Sequence, residues 1–251
     1  MTRRVDINCD LGEGAGHDAD ILPYISSINI ACGFHAGDPQ TMLGLVRQAS
    51  ERGIAIGAHP GYADREHFGR RPLRLSNEEV YALILYQLGA LDAICRAAGV
   101  QLQHIKPHGA LYNQAASDPL LADAVCRAVE DFDQHLLVYA LAGSAFHKTA
   151  AEKGIKTVSE VFADRSYLPD GSLCPRSQPG ALIETTSAAV DQAMEMILHG
   201  RVKALDGTVV AIQAESICLH GDGENAVAFA KALHTQLVQE NIEIRAYDKS
   251  R

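Results

Sequence analysis

The chain has 251 residues, of which 47% are hydrophobic and 21% are charged, and its net charge is −9. The length suits a single α/β barrel as well as two smaller domains, and the composition is that of a globular chain with a full hydrophobic core. The acidic balance disfavours nucleic acid and anionic membrane as partners, although a small anion could still bind in a local basic pocket. We interpret residues 1–251 as one barrel domain.

The six cysteines are scattered and form no CxxC pair, which argues against a zinc ribbon or a thioredoxin-like site. Arg3 and Arg4 are followed directly by the alternating stretch Val5-Asp6-Ile7-Asn8 rather than by the apolar core of a signal peptide. No transmembrane span is evident from the sequence. We therefore expect reduced thiols and a cytoplasmic protein.

Short apolar runs predict seven β-strands, and several of these runs end at a polar residue that can do chemistry. The runs are residues 5–9, 28–32, 54–58, 104–107, 136–140, 157–162 and 216–219. Capping residues predict helices between most of them. The predicted helices begin after Asp38, Ser76, Asp118, Ser144, Thr185 and Asp222, and four of them close at Gly53, Gly99, Gly154 and Gly200.

Strands that alternate with helices indicate βαβ units and a parallel sheet. In a barrel of this kind, side chains at the strand ends gather on one rim, so residues far apart in sequence can form one site. Asp206-Gly207 between two β-like runs predicts a hairpin inserted before the last strand. Residues 165–184 show no periodicity, and such a long loop is usually functional or disordered.

The first strand ends in a cluster of polar groups. Asn8 and Asp10 lie on the same face of the strand, and Glu13 lies on the glycine-rich turn that follows. The alternative interpretation is an Asx turn with a flexible loop. We favour a functional site, because two carboxylates and an amide at one strand end are unfavourable to bury without a purpose.

Four histidines, at positions 35, 59, 108 and 220, follow four different strands. Any one of them would more often be structural, but four at strand ends favour a shared site. Asp10, His35 and His59 have the chemistry of a divalent-metal site, although no short ligand spacing such as HExxH supports one. The presence and identity of a metal therefore stay open at this point.

Lys106 lies on a predicted strand and shares a face with His108. A lysine in this position should meet an anionic substrate or a carboxylate, and a purely structural salt bridge to Asp10 or Glu160 is an equally good interpretation. No nucleotide-binding loop is evident. The glycines at 12, 14 and 16 lack the further glycine of a dinucleotide site, and residues 143–149 lack the glycines of a P-loop.

Six ordered blocks resemble the family of the bacterial 5-oxoprolinase A subunits over nearly the whole chain. They are NCDLGEG at 8–14, NIACGFHAGD at 29–38, GAHPGYADREHFGRR at 57–71, HIKPHGALYN at 104–113, EVFADRSYLPDGSLCPR at 160–176 and ICLHGD at 217–222. The resemblance implies a seven-stranded (β/α) barrel of TIM-like type, related to the polysaccharide deacetylase fold. It also implies ATP-dependent opening of 5-oxoproline to glutamate together with two partner subunits, B and C.

We expect the strand-end groups to divide into two sets. The predicted catalytic residues are Asp10, Glu13, His35, His59, Lys106 and His108, and the predicted substrate-binding residues are Asn8, Asn29, Arg165, His220 and Asp222. ATP would act through the partner subunits, and a divalent metal is possible. Two alternatives remain, a stand-alone metal-dependent deacetylase or amidase and a non-catalytic subunit that only binds the lactam.

Overall fold

The computed structural model describes residues 3–221, 223 and 225–249. The strands are β1 (Arg4–Leu11), β2 (Ser27–Ala31), β3 (Ala55–His59), β4 (His104–Ile105), β5 (Leu137–Leu141), β6 (Thr157–Phe162), β7 (Arg201–Lys203), β8 (Val209–Ala211), β9 (Ser216–His220) and β10 (Glu243–Ile244). Strands β1 to β6 pair in chain order, all in parallel, and β9 pairs with both β6 and β1. The seven strands therefore close into the barrel that the sequence predicts.

The helices surround this barrel. They are α1 (Asp18–Ile21), α2 (Pro39–Arg52), α3 (Asn77–Ala97), α4 (Gly109–Ser117), α5 (Pro119–Asp133), α6 (Ala145–Glu152), α7 (Thr186–His199) and α8 (Ala226–Gln239). Predicted side-chain caps explain where α2, α3, α5 and α6 begin, whereas Thr185 before α7 makes no side-chain capping bond. Asp38 accepts hydrogen bonds from the backbone of Gln40 and Thr41, and Ser76 and Glu79 form a reciprocal capping box. The predicted cap of the last helix, Asp222, lies outside the described residues.

Three elements were not predicted, namely α1, α4 and β10. Helix α4 begins directly after the motif that ends β4, and its N-cap residue His108 makes no side-chain capping bond. The usual capping signal is therefore missing. Pro107 lacks a backbone N–H, which explains why β4 is only two residues long although residues 104–107 were predicted as strand.

The predicted hairpin and the predicted long loop are both present. Strands β7 and β8 pair antiparallel around the Asp206-Gly207 turn. The loop of residues 165–184 is anchored by two short antiparallel bridges, Arg165 with Leu182 and Tyr167 with Leu173. It is a folded segment next to the carboxyl end of β6, where it can contribute to a site.

Helix α3 is the one described helix that is long and apolar enough, by length and composition alone, to cross a membrane. Its apolar side is turned inward in this fold. Val80, Ile84, Leu88 and Leu91 are fully buried in the core, and the helix packs against α5. Core packing accounts for its composition.

Candidate active site

A cavity of about 800 Å³ opens at the carboxyl ends of the barrel strands. Asp10 from β1, His59 from β3, Lys106 and His108 after β4, and His220 from β9 all line it. The parallel direction of the strands brings these residues to the same rim, as the sequence predicts.

Asp10 and Lys106 form a buried ion pair on the cavity wall. Nζ of Lys106 lies 2.8 Å from Oδ1 of Asp10 and 2.9 Å from Oε1 of Glu160. Burial alone would raise the pKa of Asp10, but His59 and Lys106 lower it well below its usual range. Likewise, burial opposes the charge on Lys106, but Asp10, Cys218 and Glu160 raise its pKa. Both groups are therefore charged at neutral pH.

Asn8 and Asn29, which are predicted to bind substrate, contact this ion pair inside the barrel. Both are fully buried, and neither lines the cavity. The amide of Asn29 donates to Oδ1 of Asn8 at 2.7 Å and to Oδ1 of Asp10 at 2.8 Å, and Asn8 donates to Glu160 at 2.9 Å. These hydrogen bonds hold Asp10 and Glu160 in place, and substrate binding by the two amides stays a prediction.

Beside the ion pair, Glu13 meets three histidines. Its Oε1 lies 3.0 Å from Nε2 of His35, 3.2 Å from Nδ1 of His108 and 3.6 Å from Nε2 of His59. The rings of His35 and His108 are stacked, with centroids 3.8 Å apart and planes inclined by 1°. A Cβ at position 61 would lie 2.5 Å from Nδ1 of His35, so the glycine there makes room for this stack.

The three histidines differ in their protonation. Burial lowers the pKa of His35 to about 3 and also lowers the pKa of His108, so both rings are neutral near pH 7. Burial opposes protonation of His59 too, but Asp10 and Glu13 outweigh it and raise the pKa of His59. For Glu13, burial is outweighed by its hydrogen bonds with His108 and His35, which lower its pKa. These groups, with ligand atoms all within 4.8 Å of one another, have the donor set of a metal site.

His220 lies close to Asp10 on the neighbouring strand, held by a carboxylate that the sequence analysis did not identify as functional. Nδ1 of His220 lies 2.7 Å from Oδ2 of Asp164. Burial of Asp164 would raise its pKa, but His220 lowers it, so the carboxylate is ionised. Asp164 follows the end of β6 by two residues, so the strand-end rule used for the other groups could have found it. The other predicted substrate-binding residue of this region, Asp222, lies outside the described part of the chain.

The sequence analysis also did not identify Tyr112 as a site residue, although Tyr112 lies within the block at residues 104–113. Its hydroxyl donates to Oε2 of Glu160 at 2.6 Å, and its side chain lines the cavity. It lies on α4, the helix that carries no capping signal, so no local pattern indicated its position. Tyr112 and Lys106 together hold the two oxygens of Glu160.

The 165–184 loop forms one wall of the cavity through residues 168 and 170–177. Three arginines line the cavity: Arg165 and Arg176 belong to this loop, and Arg70 belongs to the segment after β3. One Nη atom of Arg165 donates to the carbonyl of Cys174 at 2.6 Å, whereas its buried Nε has no partner among the described residues. Three guanidinium groups make this side of the cavity suitable for an anionic ligand.

Comparisons with known proteins agree with this architecture. The LamB/YcsF family model matches residues 5–251. The solved structure of a lactam utilization protein from Thermus thermophilus is 46% identical, with a TM-score of 0.91 over 97% of this chain and 100% of that chain.

Two distant deacetylases share the fold alone. The catalytic domain of a peptidoglycan N-acetylglucosamine deacetylase from Eubacterium rectale has a TM-score of 0.54 at 11% identity, covering 100% of this chain and 91% of its own. A T48 deacetylase solved with substrate has a TM-score of 0.52 at 16% identity, covering 97% and 87%. The family match over almost the whole sequence confirms the resemblance indicated by the six motifs: the chain belongs to the LamB/YcsF family.

Proposed function

We propose that this chain is the hydrolytic subunit of an ATP-dependent 5-oxoprolinase, which opens 5-oxoproline to L-glutamate together with partner subunits B and C. The family membership and the 46% identity to a lactam utilization protein support an activity on cyclic amides. The observation that carries the proposal is the ionised Asp10 at the cavity wall, fixed by Lys106 and adjacent to His59.

Asp10 is the group best placed to bind the attacking water. Its Oδ1 accepts hydrogen bonds from Lys106 and Asn29. Its Oδ2 contacts Nε2 of His59 at 3.4 Å. A carboxylate with a depressed pKa accepts a hydrogen bond from water more readily than it accepts the proton itself. We assign Asp10 the orientation of the water and the stabilisation of the positive charge that develops on it.

Opening of the lactam also requires a proton on the departing nitrogen. His220 faces the cavity, and the carboxylate of Asp164 holds its Nδ1. This arrangement fixes the ring so that Nε2 is the atom available for proton transfer. We assign His220 this transfer: its Nε2 takes up the proton that the attacking water loses and passes it to the ring nitrogen as the C–N bond breaks, which extends its predicted role in substrate binding.

A five-membered lactam is an unactivated amide, so water attacks it slowly. Phosphorylation of its oxygen by ATP would make the carbon electrophilic, so that water adds, the C–N bond breaks to give an acyl phosphate, and a second water releases phosphate and leaves glutamate. The stretch at 143–149 is an ordinary helix start, in which Ser144 caps the backbone N–H of His147. We therefore assign the use of ATP to the partner subunits, with this chain receiving the activated lactam.

The substrate carboxylate requires a cation, and Arg165 fits this role better than Lys106. Lys106 already lies between two carboxylates. Arg165 borders the arginine-lined side of the cavity. A divalent cation held by Glu13, His59 and His108 would add Lewis-acid polarisation at the same rim.

All six cysteines are unpaired thiols within the described residues, which supports the proposal of a cytoplasmic location.

The main alternative is a stand-alone metal-dependent deacetylase or amidase, which the histidine–carboxylate cluster favours. Conversion of 5-oxoproline to glutamate, measured for the chain with and without its partners and ATP, separates the two. We expect glutamate only when partners and ATP are all present. Amide hydrolysis by the chain alone without ATP would support the alternative, and normal turnover by a complex containing Asp10→Asn would support a subunit that only binds the lactam.

A further inference from the structure

Two imidazole nitrogens face each other at the cavity wall, each with its lone pair directed inward. Nδ1 of His59 lies 2.7 Å from the carbonyl of Lys106, and Nε2 of His108 lies 2.8 Å from the carbonyl of Phe68. A backbone carbonyl can only accept, so these nitrogens carry the N–H groups. In the neutral rings, Nε2 of His59 and Nδ1 of His108 are then acceptors, and they lie 2.9 Å apart.

Glu13 adds a third acceptor to this pair. Its Oε1 lies 3.2 Å from Nδ1 of His108 and 3.6 Å from Nε2 of His59. Three acceptors this close repel one another unless a positive charge lies between them, either a proton on His59, whose pKa Asp10 and Glu13 raise, or a metal ion. Ligands at about 2.1 Å from a tetrahedral metal are separated by about 3.4 Å, which the three observed separations bracket.

Each of the three side chains is also held from outside. The two carbonyls fix the rings of His59 and His108, and Nε2 of His35 lies 3.0 Å from Oε1 of Glu13. Nδ1 of His35 has no hydrogen-bond partner among the described residues, so Glu13 is the polar contact of this ring. Metal ligands characteristically have such outer partners, which set the tautomer and the orientation of the ligand.

We propose that Glu13, His59 and His108 form a binding site for one divalent transition-metal ion, with His35 as a positioning residue behind Glu13. This assignment revises the sequence-based set of Asp10, His35 and His59. Oδ1 of Asp10 is already paired with Lys106, and Nε2 of His35 is already occupied by its contact with Glu13. The site does not depend on the identity of the substrate.

The donor set indicates the class of metal. Two imidazole nitrogens and one carboxylate oxygen suit zinc, manganese, iron, cobalt or nickel rather than calcium or magnesium. His59 and His108 line the cavity, so further coordination positions would face the space where a substrate binds. The thiol of Cys218 contacts Lys106 instead, at 2.8 Å.

The test measures metal binding directly, without an activity assay. Protein freed of metal with a chelator is titrated with Zn²⁺ and with Co²⁺, and bound metal is counted by elemental analysis. We expect one equivalent for the wild type and a loss of affinity of more than about 100-fold for Glu13→Gln and for His59→Ala. His67→Ala is the matched control, because His67 is an exposed histidine in the segment after β3, and it should bind as the wild type does.

The positioning role of His35 has its own variant. His35→Phe keeps an aromatic ring against His108 but removes the contact with Glu13, and we expect metal affinity to fall by about 10- to 100-fold. Thermal melts in chelator establish that each variant is folded. If His59→Ala does not fold, the metal affinity of Glu13→Gln tests the proposed site.

Three results would overturn the proposal. The first is a wild type that binds no metal because His59 and His108 share a proton. The second is metal binding by Glu13→Gln and His59→Ala as tight as that of the wild type. The third is a thiolate charge-transfer band in the Co²⁺ spectrum, which would place the ion at Cys218.

Discussion

Lys106 lies between Asp10 and Glu160, with its Nζ 2.8 Å from one carboxylate and 2.9 Å from the other. All three side chains are at most 6% exposed. One buried ammonium therefore balances two buried carboxylates, and one of these lines the cavity. Lys106 therefore stabilises this part of the barrel and, together with His59, keeps Asp10 ionised.

Replacing Asp10 with Asn should abolish turnover while the protein stays folded. The substitution keeps the shape of the side chain but removes the negative charge that orients water, and we expect a loss of about 100-fold or more. Glutamate formation by the reconstituted complex is the measurement. Asp20→Asn, an exposed carboxylate on α1, is the control and should be near wild type. Near-wild-type activity of Asp10→Asn would remove Asp10 from the mechanism.

Replacing Lys106 with Ala should impair lactam opening without preventing assembly with the partner subunits. It also leaves two buried carboxylates without their cation, which typically lowers the free energy of unfolding by about 3–5 kcal/mol. Denaturant melts and size-exclusion chromatography with the partners measure the two effects separately. The exposed Lys148 on α6 provides the control variant Lys148→Ala. Unchanged activity would leave Lys106 with a structural role alone.

Acid should destabilise the protein through His104. Burial lowers the pKa of His104 to about 3, whereas the unfolded chain binds a proton near pH 6.5. As pH falls from about 6.5 towards 3, only the unfolded state gains this proton, so the free energy of unfolding falls by up to about 1.4 kcal/mol per pH unit. Nε2 of His104 contacts Oδ1 of Asn29 at 2.7 Å, and the side-chain amide of His104→Gln can take over this donor.

Urea melts of the wild type and His104→Gln between pH 6 and pH 4 check this prediction. The variant cannot take up the proton, so its stability should decline less steeply with acid. Parallel slopes for the two proteins would show that His104 is not a source of the acid sensitivity.

The 165–184 loop should become more protected when substrate binds. It forms a wall of the cavity, and its exposed Arg176 offers trypsin a cleavage site beside the ligand. Saturating 5-oxoproline should slow cleavage after Arg176, because bound substrate holds the loop over the cavity. Cleavage after the exposed Lys203 in the β7–β8 hairpin is the internal control. Equal rates after Arg176 with and without ligand would argue against a lid.

The sequence was sufficient to predict the barrel and the residues that lie together at the strand ends. It was not sufficient to predict how far inside the barrel each polar side chain lies. Apolar runs and capping residues mark the strands and most helices, and parallel strands carry Asp10, His59 and His220 to one rim. Asn8 lies on the same face as Asp10, but two residues earlier on β1, which places it about 6.6 Å deeper. Periodicity reports the face of a strand and not the layer, so the role of Asn8 could only come from the structure.

The central claim is that this chain hydrolyses a lactam that its partners have activated. Its most direct test measures ADP and glutamate together, from 5-oxoproline and ATP, for the chain alone and for the chain with both partner subunits. We expect neither product from the chain alone and both products, in step, from the complete set. Glutamate and ADP formed in step by the purified chain alone would contradict this division of labour and would require a nucleotide site on the barrel itself.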